Sequence, residues 1–78
     1  MTTVDLELDC RGSVCPQPVI ELGRRIGEVD VGGVVAVVAT DAAAAYDVPA
    51  WCRMRSQDYL GQDVAEDGVP RYLVKRVT

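Results

Sequence analysis

Residues 4–27, VDLELDCRGSVCPQPVIELGRRIG, change their hydrophobic period halfway along, and that change decides the fold. Val4, Leu6 and Leu8 alternate with Asp5, Glu7 and Asp9, the two-residue repeat of a strand buried on one side. Carrying the alternation one step further turns Cys10 inward. Arg11-Gly12-Ser13 then breaks the strand. From Pro16 onward Val19, Leu22, Gly23 and Ile26 follow the spacing of one helical face, and the pattern stops near Gly27.

Outward from this unit, Gly32-Gly33 turns the chain into VVAVVAT, residues 34–40, an almost unbroken apolar run of the kind found in strands buried on both faces. Strand, helix and strand in this order predict a right-handed parallel crossover. The four alanines at 42–45 favour helix, but Val48-Pro49 is expected to interrupt or restart it. The reading therefore caps a second helix at Asp47 and runs it to about Asp58, with Val48, Trp51 and Cys52 on one face and Met54 or Arg55 following. In QDVAEDGVPRYLVKRV, residues 62–77, Asp67-Gly68 separates two strand-like stretches, a hairpin signal. The order is βαβαββ. The expected class is α+β, a two-layer α/β sandwich with two helices on one face of a mixed four-stranded sheet, and residues 1–78 form one domain.

Composition closes off several functions. A chain of 78 residues supports one small core, burying roughly 60–65% of its unfolded surface. With 49% apolar and 26% charged residues, no secretory signal and no membrane-length apolar run, a soluble chain in the cytoplasm is expected, without membrane contact. Three cysteines cannot complete a disulfide framework, which fits a reducing compartment. Twelve acidic against eight basic residues give a net charge of −4, a field that repels a nucleic-acid backbone. The sequence holds no histidine, so neither a Cys-His dyad nor a Ser-His-Asp triad can be built. Four residues separate Cys10 from Cys15 and thirty-six separate Cys15 from Cys52, spacings unlike the usual zinc knuckles. No metal or cofactor is expected.

Chemistry concentrates on Cys15. With Cys15 as N-cap, Pro16 falls at N1 and Pro18 at N3, where amides have no intrahelical acceptor, so neither proline removes a helix hydrogen bond. Gln17 is then the only first-turn amide able to donate to the sulfur. Pro16 pre-sets the first turn and Pro18 restricts Gln17, which stiffens the mount of the thiol. Helix-end potential, on the order of 0.3–1 kcal/mol, favours the thiolate and lowers its pKa below the free value of about 8.5. Cys10 and Cys52 lie on apolar faces and read as packing groups. Arg11 is either a cation steering a thiolate or anionic partner, or a solvated side chain beside a turn. Arg24-Arg25 and Arg53-Met54-Arg55 are either solvated faces or docking surface around the thiol.

The stretch LDCRGSVCPQPVIEL resembles the LDxRGxxCPxPV signature of the TusA/SirA-like sulfur carriers, and the resemblance continues through VVAVVATD, DVPAWCRM and DGVPRYLVKR. It implies a βαβαββ two-layer sandwich and a persulfide carried on the CPxP cysteine, here Cys15. Arg11, Gly12, Pro16, Gln17 and Pro18 are its supporting residues. The implied partners are a sulfur donor, either a cysteine desulfurase or a rhodanese-like protein, and an acceptor sulfurtransferase. The carrier itself is expected to be a monomer in transient complexes, more carrier than catalyst. Two segments depart from the common pattern: Asp41-Ala42-Ala43 where relatives often have Asp-Pro-Gly, and Ser56-Gln57 where they often have Gly-His. Both fall in loops able to touch partners. The competing reading is a regulatory or binding module in which CPxP is only a helix cap and Arg71, Lys75 and Arg76 contact nucleic acid. A thiol-disulfide oxidoreductase is disfavoured by the lack of CxxC.

Overall fold

The computed structural model describes residues 3–14 and 16–78. Strand β1 (Leu6–Cys10) leads into helix α1 (Gln17–Arg25) and a single 3-10 turn (Ile26–Glu28). Strand β2 (Val34–Ala39), helix α2 (Ala44–Arg55) and the strands β3 (Asp58–Val64) and β4 (Pro70–Lys75) follow. The sheet order is β1-β2-β4-β3, with β1 parallel to β2 and the other neighbours antiparallel. The expected α+β sandwich is therefore the observed one.

The change from strand period to helical period holds for Leu6–Cys10 and for Val19, Leu22 and Ile26. Leu8 and Cys10 are buried while Glu7 and Asp9 are exposed, and Leu22 of α1 packs over them with Val19 and Ile26 at its flanks. Tyr72 and Val74 of β4 and Val48, Trp51 and Cys52 of α2 complete the same core.

All six residues of β2 are buried, as the apolar run predicts. On the side away from the core, cover comes from neighbouring strands. Arg71 of β4 pairs with Asp63 of β3 at 2.9 Å and reaches Glu7 of β1 at 3.0 Å. Because β2 lies between β4 and β1, this guanidinium spans it.

The second helix differs from expectation. It starts at Ala44, not after Asp47, and carries Pro49 inside it. The Asp41 carboxylate accepts the Ala43 amide at 3.0 Å and its carbonyl accepts the Ala44 amide at 3.1 Å, so the entry turn forms ahead of the alanines. Pro49 withholds a donor from the Ala45 carbonyl, a defect costing about 3 kcal/mol in a helix interior. Burial of Ala44, Val48, Trp51 and Cys52 offsets it, a single Val or Leu side chain contributing about 1.5–3 kcal/mol. The helix also stops three residues short of Asp58. Ser56 turns left-handed (φ 58°, ψ 38°), and the Gln57 amide donates to the Cys52 carbonyl at 2.9 Å. Asp58 then opens β3, which bulges between Tyr59 and Gly61.

The hairpin forms at Asp67-Gly68. Gly68 donates to the Ala65 carbonyl at 2.9 Å, and Ala65 donates to that of Val69 at 2.8 Å. Only Gly68 in this loop takes positive φ (+83°), so the connection is a three-residue loop ending in a glycine bulge.

Candidate functional site

The connection between β1 and α1 is fastened from several directions. Ser13 donates to the Cys10 carbonyl at 3.1 Å, closing a tight turn at the strand end. The Gly12 amide donates to Oγ1 of Thr40, just past β2, at 3.0 Å. The Arg11 amide donates to Oδ1 of Asp9 at 3.1 Å, and its Nη1 pairs with the same oxygen at 3.0 Å. The rest of the guanidinium forks onto Asp67 at the hairpin tip, Nε to Oδ2 at 2.9 Å and Nη2 to Oδ1 at 3.2 Å.

Arg11 is thus exposed but not a spare cation, its guanidinium being engaged by Asp9 and Asp67. Hydrogen bonds to Asp67 and then Asp9 hold its protonated form; the guanidinium in turn lowers the pKa of Asp67, while that of Asp9 is lowered first by the Arg11 amide and then by the guanidinium. Two carboxylates on one guanidinium leave the cluster net negative.

Cys15 lies outside the described residues, and its expected N-cap role with it. The residues after it correct part of the sequence reading. Pro16 occupies the N-cap (φ −98°, ψ 18°), Gln17 is the first helical residue and Pro18 the second. Pro18 therefore does not withhold the N3 amide, since that position is Val19. The Gln17 amide donates to the Val14 carbonyl at 2.9 Å, while its expected bond to the sulfur lies outside the described residues. This turn forms first, and the helix begins one residue later, with Ile20 donating to the Pro16 carbonyl at 3.1 Å. Both prolines still fall where helix amides have no intrahelical acceptor. Pro18 is also buried, which gives it a packing role the sequence reading lacked.

The other two thiols are sealed. Cys10 is 2% and Cys52 1% exposed. Burial, reinforced by Glu21 and Asp9, raises the Cys10 pKa. Burial, then Asp58, pushes Cys52 up to about 11. Neither ionises appreciably near neutrality. Among the described residues, no group of three or more Cys, Asp and Glu is placed to hold a metal.

Beside the start of α1 the two helices leave an apolar groove of about 260 Å³ between Pro16, Val19, Asp47, Ala50, Trp51 and Met54. A second hollow of about 430 Å³ continues past Val19 and Trp51 to Ile20, Gly23, Arg24 and Arg55. A Cβ at Gly23 would sit 3.5 Å from the Trp51 indole nitrogen, an ordinary van der Waals contact, so the seam passes this residue closely without requiring glycine. Arg55 lies over the indole, 5.8 Å from its centroid, in cation–π range. Val14, Met54 and Tyr46 are among the most exposed large apolar residues.

The basic residues singled out in the sequence divide here. Arg24 pairs with Glu21 at 2.7 Å and Arg25 with Glu28 at 2.9 Å, while Arg53 and Arg55 make no ion pair among the described residues. Trp51, read as a packing residue, is also the floor of the groove, and the arginines two and four residues beyond it are the signal for that. Asp67, read only as a turn residue, is what holds Arg11. Gln57, a departure from the common pattern, anchors the chain end: its Oε1 accepts the Val77 amide at 2.7 Å.

Comparison with known proteins places this geometry. The family described as Sulfurtransferase TusA matches residues 6–76. A protein named sulfur carrier protein TusA from Pseudomonas syringae is 34% identical over 74 residues, spanning 95% of this chain and 87% of that one. Its namesake in Pseudomonas entomophila is 36% identical over 72 residues, spanning 92% and 89%. The crystal structure of a SirA-like protein from Desulfitobacterium hafniense superposes with a TM-score of 0.78 at 22% identity, over 94% of this chain and 99% of that one, and shares the fold. The chain belongs to the TusA/SirA-like family.

Proposed function

We propose that this chain is a sulfur carrier that holds sulfane sulfur as a persulfide on Cys15 and passes it to a cysteine of an acceptor protein. The observation that carries the reading is the burial of the other two thiols, which leaves one cysteine of three for exchange. The names of the Pseudomonas relatives support it. Cys15 precedes the N-cap of α1 by one residue in sequence, where helix-end potential favours a thiolate by on the order of 0.3–1 kcal/mol.

In the proposed cycle the Cys15 thiolate attacks the outer sulfur of a donor persulfide. A sulfur–sulfur bond forms on Cys15 as the donor thiolate leaves. An acceptor thiolate then attacks the outer sulfur of Cys15, taking it as a new persulfide and releasing the Cys15 thiolate. No net oxidation occurs. Arg11 and Gly12 hold the approach to Cys15, while Pro16, Gln17 and Pro18 begin the helix behind it. The donor is a cysteine desulfurase or rhodanese-like protein and the acceptor a sulfurtransferase, met in transient complexes by a monomer in the reducing cytoplasm. They dock over the α1–α2 groove, whose apolar floor and neighbouring Arg55, held over the Trp51 indole, suit a partner surface with an apolar anchor and acidic surroundings. No helix among the described residues is long and apolar enough to cross a membrane.

Nucleic-acid contact through the sheet has less support. Arg71 is engaged by Glu7 and Asp63, and Arg76 donates to the carbonyls of Val29 and Thr78.

The test is incubation with glutathione persulfide followed by intact-mass and peptide analysis. One added sulfur on Cys15 is expected. Loading that survives Cys15→Ser overturns the assignment.

A further inference from the structure

The hairpin tip and the segment leading to Cys15 are joined by residues fifty-six positions apart. Sheet pairing between β3 and β4 ends at Val64 and Pro70, so Asp67 lies beyond the ladder and adds nothing to it. Its carboxylate instead takes both arms of the Arg11 fork and also accepts the Val69 amide at 3.4 Å, which orients it within its own loop. A lone ion pair at this exposure contributes only about 0–1 kcal/mol to stability. Its geometric effect is larger, since a two-bond fork fixes direction as well as distance. With Asp9 and Thr40, it makes residues 11–12 a segment held from β1, from the end of β2 and from the hairpin.

We propose that Asp67 is a positioning residue for sulfur transfer: through Arg11 it fixes residues 11–12, which lead to Cys15, so that the persulfide meets a protein thiol along one line of approach. The inference rests on the carrier reading above. It separates two kinds of acceptor. A small nucleophile reaches the outer sulfur from many directions, whereas a protein thiol arrives with its own surface and needs the sulfur presented. Misplacement on the order of 1 Å slows such encounters by tenfold or more. The fork, and not charge alone, is the operative element, since lysine at position 11 keeps the charge and cannot form two parallel bonds.

The experiment loads wild type, Asp67→Asn, Asp67→Glu and Arg11→Lys with glutathione persulfide and discharges each in two ways. Cyanide attacks the outer sulfur and leaves as thiocyanate, freeing the Cys15 thiolate. Reduced thioredoxin takes the outer sulfur on one thiol, and its second thiol expels hydrosulfide as its disulfide closes. Asp67→Asn is expected to load fully and to react with cyanide within about twofold of wild type, while discharge to thioredoxin falls about tenfold, and Arg11→Lys is expected to lose at least as much of the thioredoxin discharge. Asp67→Glu, which keeps a carboxylate, is expected to recover most of that loss. Wild-type discharge to thioredoxin in Asp67→Asn, or equal losses with both nucleophiles, overturns the positioning role and leaves the carrier reading intact. Failure of wild type to load on Cys15 removes the carrier reading and this inference with it.

Discussion

Raising the pH from 8 to 10.5 is expected to erode the stability that Cys52 gives the fold, by an amount the structure sets. The thiol is 1% exposed on the inner face of α2, and its pKa rises from an ordinary 9.0 to about 11. The sign follows from which state gives up the proton. Below pH 9 the thiol is neutral folded and unfolded, so its packing contribution is complete. Between 9 and 11 the unfolded chain releases the proton while the folded chain retains it, so stability falls as pH rises. At pH 10.5 a two-unit difference costs about 2 kcal/mol, taking about 1.36 kcal/mol per unit. Tyr59 and Tyr72 are also raised by burial and erode stability in the same range, so the wild type alone does not isolate the thiol. Cys52→Ala keeps both tyrosines and removes the sulfur, together with the smallest of the three causes that raise Tyr59. Thermal unfolding of both proteins under reductant, followed by circular dichroism, should show wild type ahead at pH 8 and that lead shrinking by about 2 kcal/mol at pH 10.5. For a domain of this size the change is roughly 8–16 °C in relative Tm. A lead that stays constant across the interval refutes the reasoning that burial holds this thiol neutral.

Cys10→Ala is expected to lower stability by about 1–3 kcal/mol while persulfide loading persists, measured by urea unfolding and intact mass; a folded variant that no longer loads makes Cys10 a relay thiol. Ser56→Gly should raise stability by roughly 0.5–1 kcal/mol, because serine holds a left-handed conformation there that glycine adopts freely, and a lower melting temperature contradicts this. Met54→Asp, at a residue 79% exposed, should change stability by no more than about 0.5 kcal/mol. The same substitution should slow loading from a persulfide-bearing rhodanese several-fold and leave loading from glutathione persulfide unchanged; equal rates from both donors argue against docking over the groove.

Where hydrophobic period and local turn chemistry act alone, the sequence was a sufficient guide. The inward turn of Cys10 follows from alternation with Asp9, and the burial of β2 follows from a run without a charge. Residues 44–55 show where it was not. Pro49 argues locally for a break, but α2 continues through it because Val48, Trp51 and Cys52 join a core assembled from β1, β2 and β4 as well, which no local window contains. One turn, closed by the Gln17 amide on the Val14 carbonyl, precedes a helix that starts past Pro16 and not at it. The Arg11–Asp67 fork had no local signature at all, since each half of it reads as an ordinary surface residue beside a turn. Ser56-Gln57 looked like partner-facing loop and proves to end a helix and tether residue 77.

The strand order sets a hazard for the chain while it is being made. Val34–Ala39 is uncharged and proline-free, a sequence that readily templates further strands. Its first neighbour, β1, has already been synthesised when it emerges, but its other edge is reserved for β4, whose first residue is Pro70. Until Pro70–Lys75 arrives, this aggregation-prone segment presents a bare row of amides and carbonyls. Ribosome stalling or premature termination after α2 should therefore yield sticky fragments rather than inert ones, and rapid closure of the C-terminal hairpin protects the nascent chain as much as it completes the sheet.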